Sequence, residues 1–157
     1  MKDVFAPFRQ GNYLSLPAHV QVHMVLTEKD CQKIDLLVGQ PYVGADAEWR
    51  CQVVNAFSNQ GNKGPALFQL SSENDAVLID LIGLKNNQIL DQALYRLFNH
   101  PNTVIVGFSF SSDLSMFKEH LPEMKFYQTI ANLCDILDLQ KALNPEDGKG
   151  GLTSVCL

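Results

Sequence analysis

Two carboxylates one residue apart, Asp46 and Glu48, stand within Val43-Gly44-Ala45-Asp46-Ala47-Glu48-Trp49-Arg50. In a β-strand alternate side chains share a face, so the pair projects together about 6.6 Å apart along the strand while Ala45 and Ala47 enter the opposite layer. Hard oxygens in this arrangement suit Mg²⁺ or Mn²⁺. Two such ions held roughly 3.5–4 Å apart can share one carboxylate and be flanked by the other, once a third acid arrives from elsewhere. The chemistry this would serve is hydrolysis of a phosphodiester. An isolated Asp-x-Glu is more often a solvated strand face, and with 17 acidic residues in the chain it arises readily by chance. The apolar approach Pro41-Tyr42-Val43-Gly44-Ala45 argues otherwise, because it predicts a strand buried in a sheet whose end opens into a cleft.

Asp113 supplies the third acid. It follows the apolar run Thr103-Val104-Ile105-Val106-Gly107-Phe108, at a strand-to-helix junction where α/β folds gather ligand-binding groups. Its plainer role would be to cap its own helix. Asp80, Asp135 and Asp138 are rival acids, and for Asp80 and Asp138 the end of an apolar run suggests a turn or a cap. Trp49 has two readings, packing on the sheet edge or stacking on a base. His23 and His120 have no partner at ligand or catalytic spacing, and the four histidines lie apart.

These residues need a scaffold. Val20 to Leu26 alternates like a strand, and Thr27-Glu28-Lys29-Asp30 resembles a capping box for a helix running to about Leu37, with Ile34, Leu37 and Val38 on its apolar side. After the acidic strand, a strand through Cys51 to Phe57 and a polar, glycine-rich turn over 58–65 predict a hairpin. Ala66 to Leu70 and Ala76 to Leu81 complete an antiparallel meander. Asn87 to Phe98 places Ile89, Leu90, Ala93, Leu94, Leu97 and Phe98 at helical spacing. A strand over 103–108, a helix carrying Leu114, Phe117 and Leu121, a last strand over 132–136 and a helix over 137–143 follow. The expected class is α/β with a mixed sheet.

Composition sets the outer bounds. At 157 residues, 46% hydrophobic and 18% charged, the chain can bury one continuous core. Residues 1–18 read as an arm or linker and 19–157 as the domain. Without a long apolar run or a signal-peptide core, the sequence predicts an intracellular protein with no membrane partner, in the cytoplasm or else the nucleus. The scattered cysteines Cys31, Cys51, Cys134 and Cys156 predict reduced, mostly buried thiols rather than a zinc site. A net charge of −5 argues against gripping nucleic acid by bulk electrostatics, although bound cations would reverse the local field.

The blocks Val43 to Arg50, Ala66-Leu67-Phe68-Gln69-Leu70, Val77-Leu78-Ile79-Asp80, Val106-Gly107-Phe108 through Ser112-Asp113-Leu114, and Asp138-Leu139-Gln140-Lys141 resemble, in order and spacing, those of the DEDDy 3′-5′ exonucleases. That family has an RNase H-like fold and includes RNase D and the Werner-type exonuclease. Glu48-Trp49-Arg50 and the Gly107 to Asp113 block look closest to the Nibbler group, which trims the 3′ ends of small RNAs. The resemblance implies two-metal hydrolysis of a terminal phosphodiester on single-stranded RNA, releasing a nucleoside monophosphate. Asp46, Glu48 and Asp113 would be the metal-binding and catalytic acids, two Mg²⁺ or Mn²⁺ ions the cofactor, and Trp49, Phe108 and Ser109 substrate contacts. The family's last block, a Tyr with an Asp four residues later, has no counterpart after Asp138. Leu152, Val155 and Cys156 only open an amphipathic helix, so the domain is expected to be C-terminally incomplete and of low activity by itself. Further domains of a longer parent would be partners. Two rival readings stand beside this one: an inactive nuclease-like module that binds nucleic acid or protein, and a DNA exonuclease.

Overall fold

The computed structural model describes residues 16–50 and 64–143. Six strands form one mixed sheet: β1 (Gln21–Val25), β2 (Tyr42–Trp49), β3 (Pro65–Ser71), β4 (Asp75–Asp80), β5 (Val104–Gly107) and β6 (Leu133–Asp135). Among the described residues three α-helices accompany them, α1 (Gln88–Phe98), α2 (Phe110–His120) and α3 (Ile136–Leu143). The spatial order is β1-β4-β3-β2-β5-β6. An antiparallel meander is present over β2, β3 and β4, with Asp46 opposite Gln69 and Glu48 opposite Leu67, but β2 pairs directly with β3, where the 51–57 strand was expected to stand between them. The expected strand over Cys51 to Phe57, its turn, the 1–15 part of the arm and the 152–156 pattern lie outside the described residues.

The segment after β1 departs from the expected α-helix. Glu28–Leu36 is a 3₁₀ helix, and the reason is legible in its buried residues. Cys31, Ile34 and Leu37 recur every third position, which aligns them on one side of a helix with three residues per turn. Side-chain bonds reinforce that spacing: Asp30 accepts from the Thr27 backbone N–H and hydroxyl, at 3.0 and 2.7 Å, and from the Lys33 ammonium. His23, expected to stand alone, pairs with Asp75 at 2.8 Å, because parallel pairing of β1 with β4 carries Asp75 alongside.

Beneath the sheet lies an aromatic core. Phe68, Phe98, Phe110, Phe117 and Phe126 are fully buried, and the Phe68 ring lies within 6.4 Å of each of the other four. In α1, Leu90, Ala93, Leu94, Leu97 and Phe98 are buried as expected, whereas Ile89 faces out. Asn87 caps the helix, its carboxamide oxygen accepting from the N–H groups of Ile89 and Leu90. Phe110 and Phe117, two turns apart on α2, anchor that helix to Phe68. Aromatic packing therefore fixes which side of α2 meets the sheet.

Candidate active site

Strand β2 is flanked by an antiparallel neighbour, β3, and a parallel one, β5. The parallel pairing runs only from Tyr42 opposite Val104 to Gly44 opposite Val106, so β2 continues past the end of β5. Helix α2 starts in the space so created and brings Asp113 beside the far half of β2. Burial along β2 alternates as the residue types require. Val43, Ala45 and Ala47 are buried, while Asp46 and Glu48 are exposed on the other face.

Asp113 faces this pair. Its carboxyl is pushed up from 3.8 to about 6, first by burial, with Asp46, Asp135 and Glu48 adding repulsion and the Trp49 N–H opposing the shift. The Trp49 indole Nε1 donates to Asp113 Oδ1 at 3.2 Å, and its ring packs 5.8 Å from that of Phe117. Both contacts fit the packing reading of Trp49. Gln69, directly across from Asp46, donates to Glu48 Oε1 at 3.4 Å. A cleft of about 430 Å³ opens here, lined by Gly44, Asp46, Gln69, Gly107, Phe108 and Ile136. A larger hollow, of about 660 Å³, lies along α2 at Leu114, Lys118 and Tyr127. It is lined by no carboxylate, and a third, of about 640 Å³ beside α1, has Asp91 and Glu123 on its wall but none of Asp46, Glu48 and Asp113.

The rival acids have other work. Asp80 accepts from the N–H groups of Ile82 and Gly83, a turn role as expected. Asp138 lies exposed on α3, 3.6 Å from Lys141. Asp135 ends β6 and caps forward: Oδ1 accepts from Ser109 N at 2.8 Å and from Leu137 N at 3.1 Å, and Oδ2 from Ser111 N at 3.4 Å. Capping of α2 thus falls to Asp135, and the Asp113 carboxylate is turned to the Trp49 N–H instead. Ser109 sits in the left-handed region at φ 55°, and its hydroxyl lies 3.3 Å from that of Ser112.

Gln69 was not singled out from sequence, and Asp135 was named only as a rival acid, not as a residue that holds the site in shape. The only signal for either was position, Gln69 within a strand-like block and Asp135 at a strand end.

The donor set suits a hard divalent cation: oxygens only, with repulsion among them that bound positive charge would relieve. As they stand the carboxylates do not meet at one point. Among the described residues no three His, Cys, Asp or Glu side chains are close enough together to hold a single ion, so side-chain rotation would have to complete the shell. Nor, among the described residues, is any helix long and apolar enough to cross a membrane.

Comparison with known proteins meets this geometry from outside. A family model described as 3′-5′ exonuclease matches residues 22–156. The EXO domain of Aedes aegypti Nibbler superposes with a TM-score of 0.65 at 24% identity, over 85% of this chain and 61% of that one. Escherichia coli RNase D, an exoribonuclease involved in structured RNA processing, gives 0.64 at 17% identity over 87% and 32%. Trypanosoma brucei RNase D in complex with RNA U12 gives 0.60 at 16% identity over 79% and 40%. This chain therefore spans about three fifths of the Nibbler domain and about a third of E. coli RNase D. No curated protein matches. With the acidic strand, the strand-to-helix acid and the mixed sheet all in place, and with the RNase H-like fold shared with these structures, the chain belongs to the 3′-5′ exonuclease family.

Proposed function

We propose that this domain hydrolyses the terminal phosphodiester at the 3′ end of single-stranded RNA, in a divalent-metal-dependent reaction that releases nucleoside monophosphates. The observation that carries the reading is that the Trp49 indole, at the end of β2, bonds Asp113 at 3.2 Å and so brings it beside the strand whose exposed face carries Asp46 and Glu48. Asp46, Glu48 and Asp113 would hold two Mg²⁺ or Mn²⁺ ions. When bound, such ions supply an activated water and neutralise charge developing on the phosphate oxygens. The chain's own residues orient these groups. Trp49 restrains Asp113 through its N–H, Gln69 restrains Glu48, and the Phe108 ring in the cleft wall offers a base a stacking surface. The Ser109 hydroxyl, beside Ser112, lies at the same end of β5 for a sugar or phosphate contact. RNA is favoured by likeness to RNase D, one example of which is complexed with RNA, and 3′ end trimming of small RNAs by likeness to Nibbler.

The rival reading, an inactive module that binds nucleic acid, draws on the separation of the carboxylates as they stand. One assay separates the two. A 5′-labelled single-stranded RNA, incubated with the chain and Mn²⁺, should shorten slowly but stepwise from its 3′ end. Asp46→Asn should slow this at least about 100-fold, since metal charge stabilisation is worth several kcal/mol and about 1.4 kcal/mol is tenfold in rate. Binding without shortening would favour the inactive module, and faster shortening of the matching DNA would move the substrate class.

A further inference from the structure

The turn between β5 and α2 holds the least relaxed backbone near the cleft. Ser109, a residue with a Cβ, adopts φ 55° and ψ 32°, a conformation L-residues visit at a cost. Immediately before it the chain has no room to give. A Cβ on Gly107 would stand 2.6 Å from the Phe110 Cβ, and Phe110 is fully buried against Phe68 and Phe98. Something outside the turn must hold Ser109 in place, and in register it is Asp135, which pairs directly with Gly107 across β5 and β6. Its carboxylate passes over the end of β5 and accepts from the backbone N–H groups of Ser109 and Ser111, then from Leu137 at the start of α3. A charged acceptor on such N–H groups makes a stronger bond than a neutral one. Asp113 lies one helical turn beyond Phe110, so the pose of this turn sets where the Asp113 carboxyl points.

We infer that Asp135 is a positioning residue for the exonuclease site: Phe110 and Phe117 fix the side of α2 that meets the sheet, and Asp135, by clamping the β5–α2 turn, holds the first turn of the helix in the pose that aims Asp113 at Trp49 and the acidic strand. The contact itself is independent of function, and its value for catalysis rests on the exonuclease reading. Trp49 is the only tryptophan of the chain, and its indole N–H is the bond to Asp113. Solvent exchange of that one indole proton therefore reports the pose of Asp113 without metal or substrate. Asp135→Ala should speed this exchange about tenfold or more, in line with the effect of removing an outer partner of a site. Asp91→Ala is the control, since Asp91 likewise tethers a loop through the N–H groups of Lys125 and Phe126 but stands away from the acids. It should lower the melting temperature and leave indole exchange unchanged.

Ser109→Gly placed on Asp135→Ala should recover much of the protection, because glycine adopts a positive φ without strain. If Asp135→Ala does not fold, Asp135→Asn, which keeps one acceptor, should show a smaller change in the same direction. Indole exchange at the wild-type rate in folded Asp135→Ala or Asp135→Asn, or no recovery with Ser109→Gly, would overturn the assignment. In the RNA assay Asp135→Asn should lower kcat about tenfold with KM nearly unchanged. A wild-type chain that shows no hydrolysis while Asp135→Ala still exposes the indole would sink the exonuclease reading and leave the clamp standing.

Discussion

Asp113 carries the cost of the site. Its carboxyl is raised to about 6, by burial first and then by Asp46, Asp135 and Glu48, so the folded chain keeps a proton that the unfolded chain gives up near 3.8. Below 3.8 the group is protonated in both states and contributes nothing. As pH rises from there to about 6 it lowers stability, and above that window the loss is constant. Asp113→Asn removes the ionisation while keeping an oxygen for the Trp49 N–H. Without metal, its melting temperature should exceed that of wild type at pH 7 and match it near pH 4; an equal gap at both pH values would contradict this origin. The comparison must be between variants, because Asp30 acts oppositely. Lys33 and then Thr27 hold its carboxyl well below the usual range, so its contribution is present at neutral pH and lost on acidification. Trp49→Phe keeps the ring on Phe117 and loses only the N–H. It should weaken Mn²⁺ binding by about 10–100-fold with little change in melting temperature. At this scale the sequence was legible where the pattern is local: alternation alone assigns faces to Asp46 and Glu48, and a strand-to-helix junction singles out Asp113. Gln69 and the clamping role of Asp135 were not, because each acts across strands, and which residues meet there depends on register.

The elements repeat that division. The meander and the burial of α1 followed from period-2 and period-3.6 patterns. The pairing of β1 with β4 did not, since a parallel contact more than fifty residues away leaves no local mark, and with it went the partner of His23. The 3₁₀ segment was misread because Ile34, Leu37 and Val38 also fit an α-helix, and only the burial of Cys31 with Ile34 and Leu37 reveals the spacing of three. The β5–α2 turn is the most demanding joint. In Gly107→Ala the new methyl would meet the Phe110 Cβ at 2.6 Å and its Cγ at 2.9 Å, both within the packed core. Overpacking of this kind costs about 1–3 kcal/mol, which should appear as a lower urea midpoint with an unchanged slope. An unaffected midpoint would mean that Phe110 moves aside freely and does not fix α2.

Across the whole molecule, a charge of −5 gives RNA little to hold except bound cations. In metal-free buffer the chain should bind single-stranded RNA weakly, with a slope of log affinity against log salt no steeper than about −2, the release of only two or three counterions. A steep slope would reveal a basic surface that plays no part in this account. The fold class was legible in the order of elements, and the 3′-5′ exonuclease family in the order of the sequence blocks, which the family match over residues 22–156 bears out. What remains to be tested is that Asp46, Glu48 and Asp113 act as one metal centre. Calorimetric titration of Mn²⁺ into the chain at pH 7 measures this most directly. Wild type should take up two ions, and Asp46→Asn and Asp113→Asn should each bind at least about tenfold more weakly or lose one ion. A wild-type chain that binds no Mn²⁺, or variants whose isotherms match that of wild type, would contradict the claim.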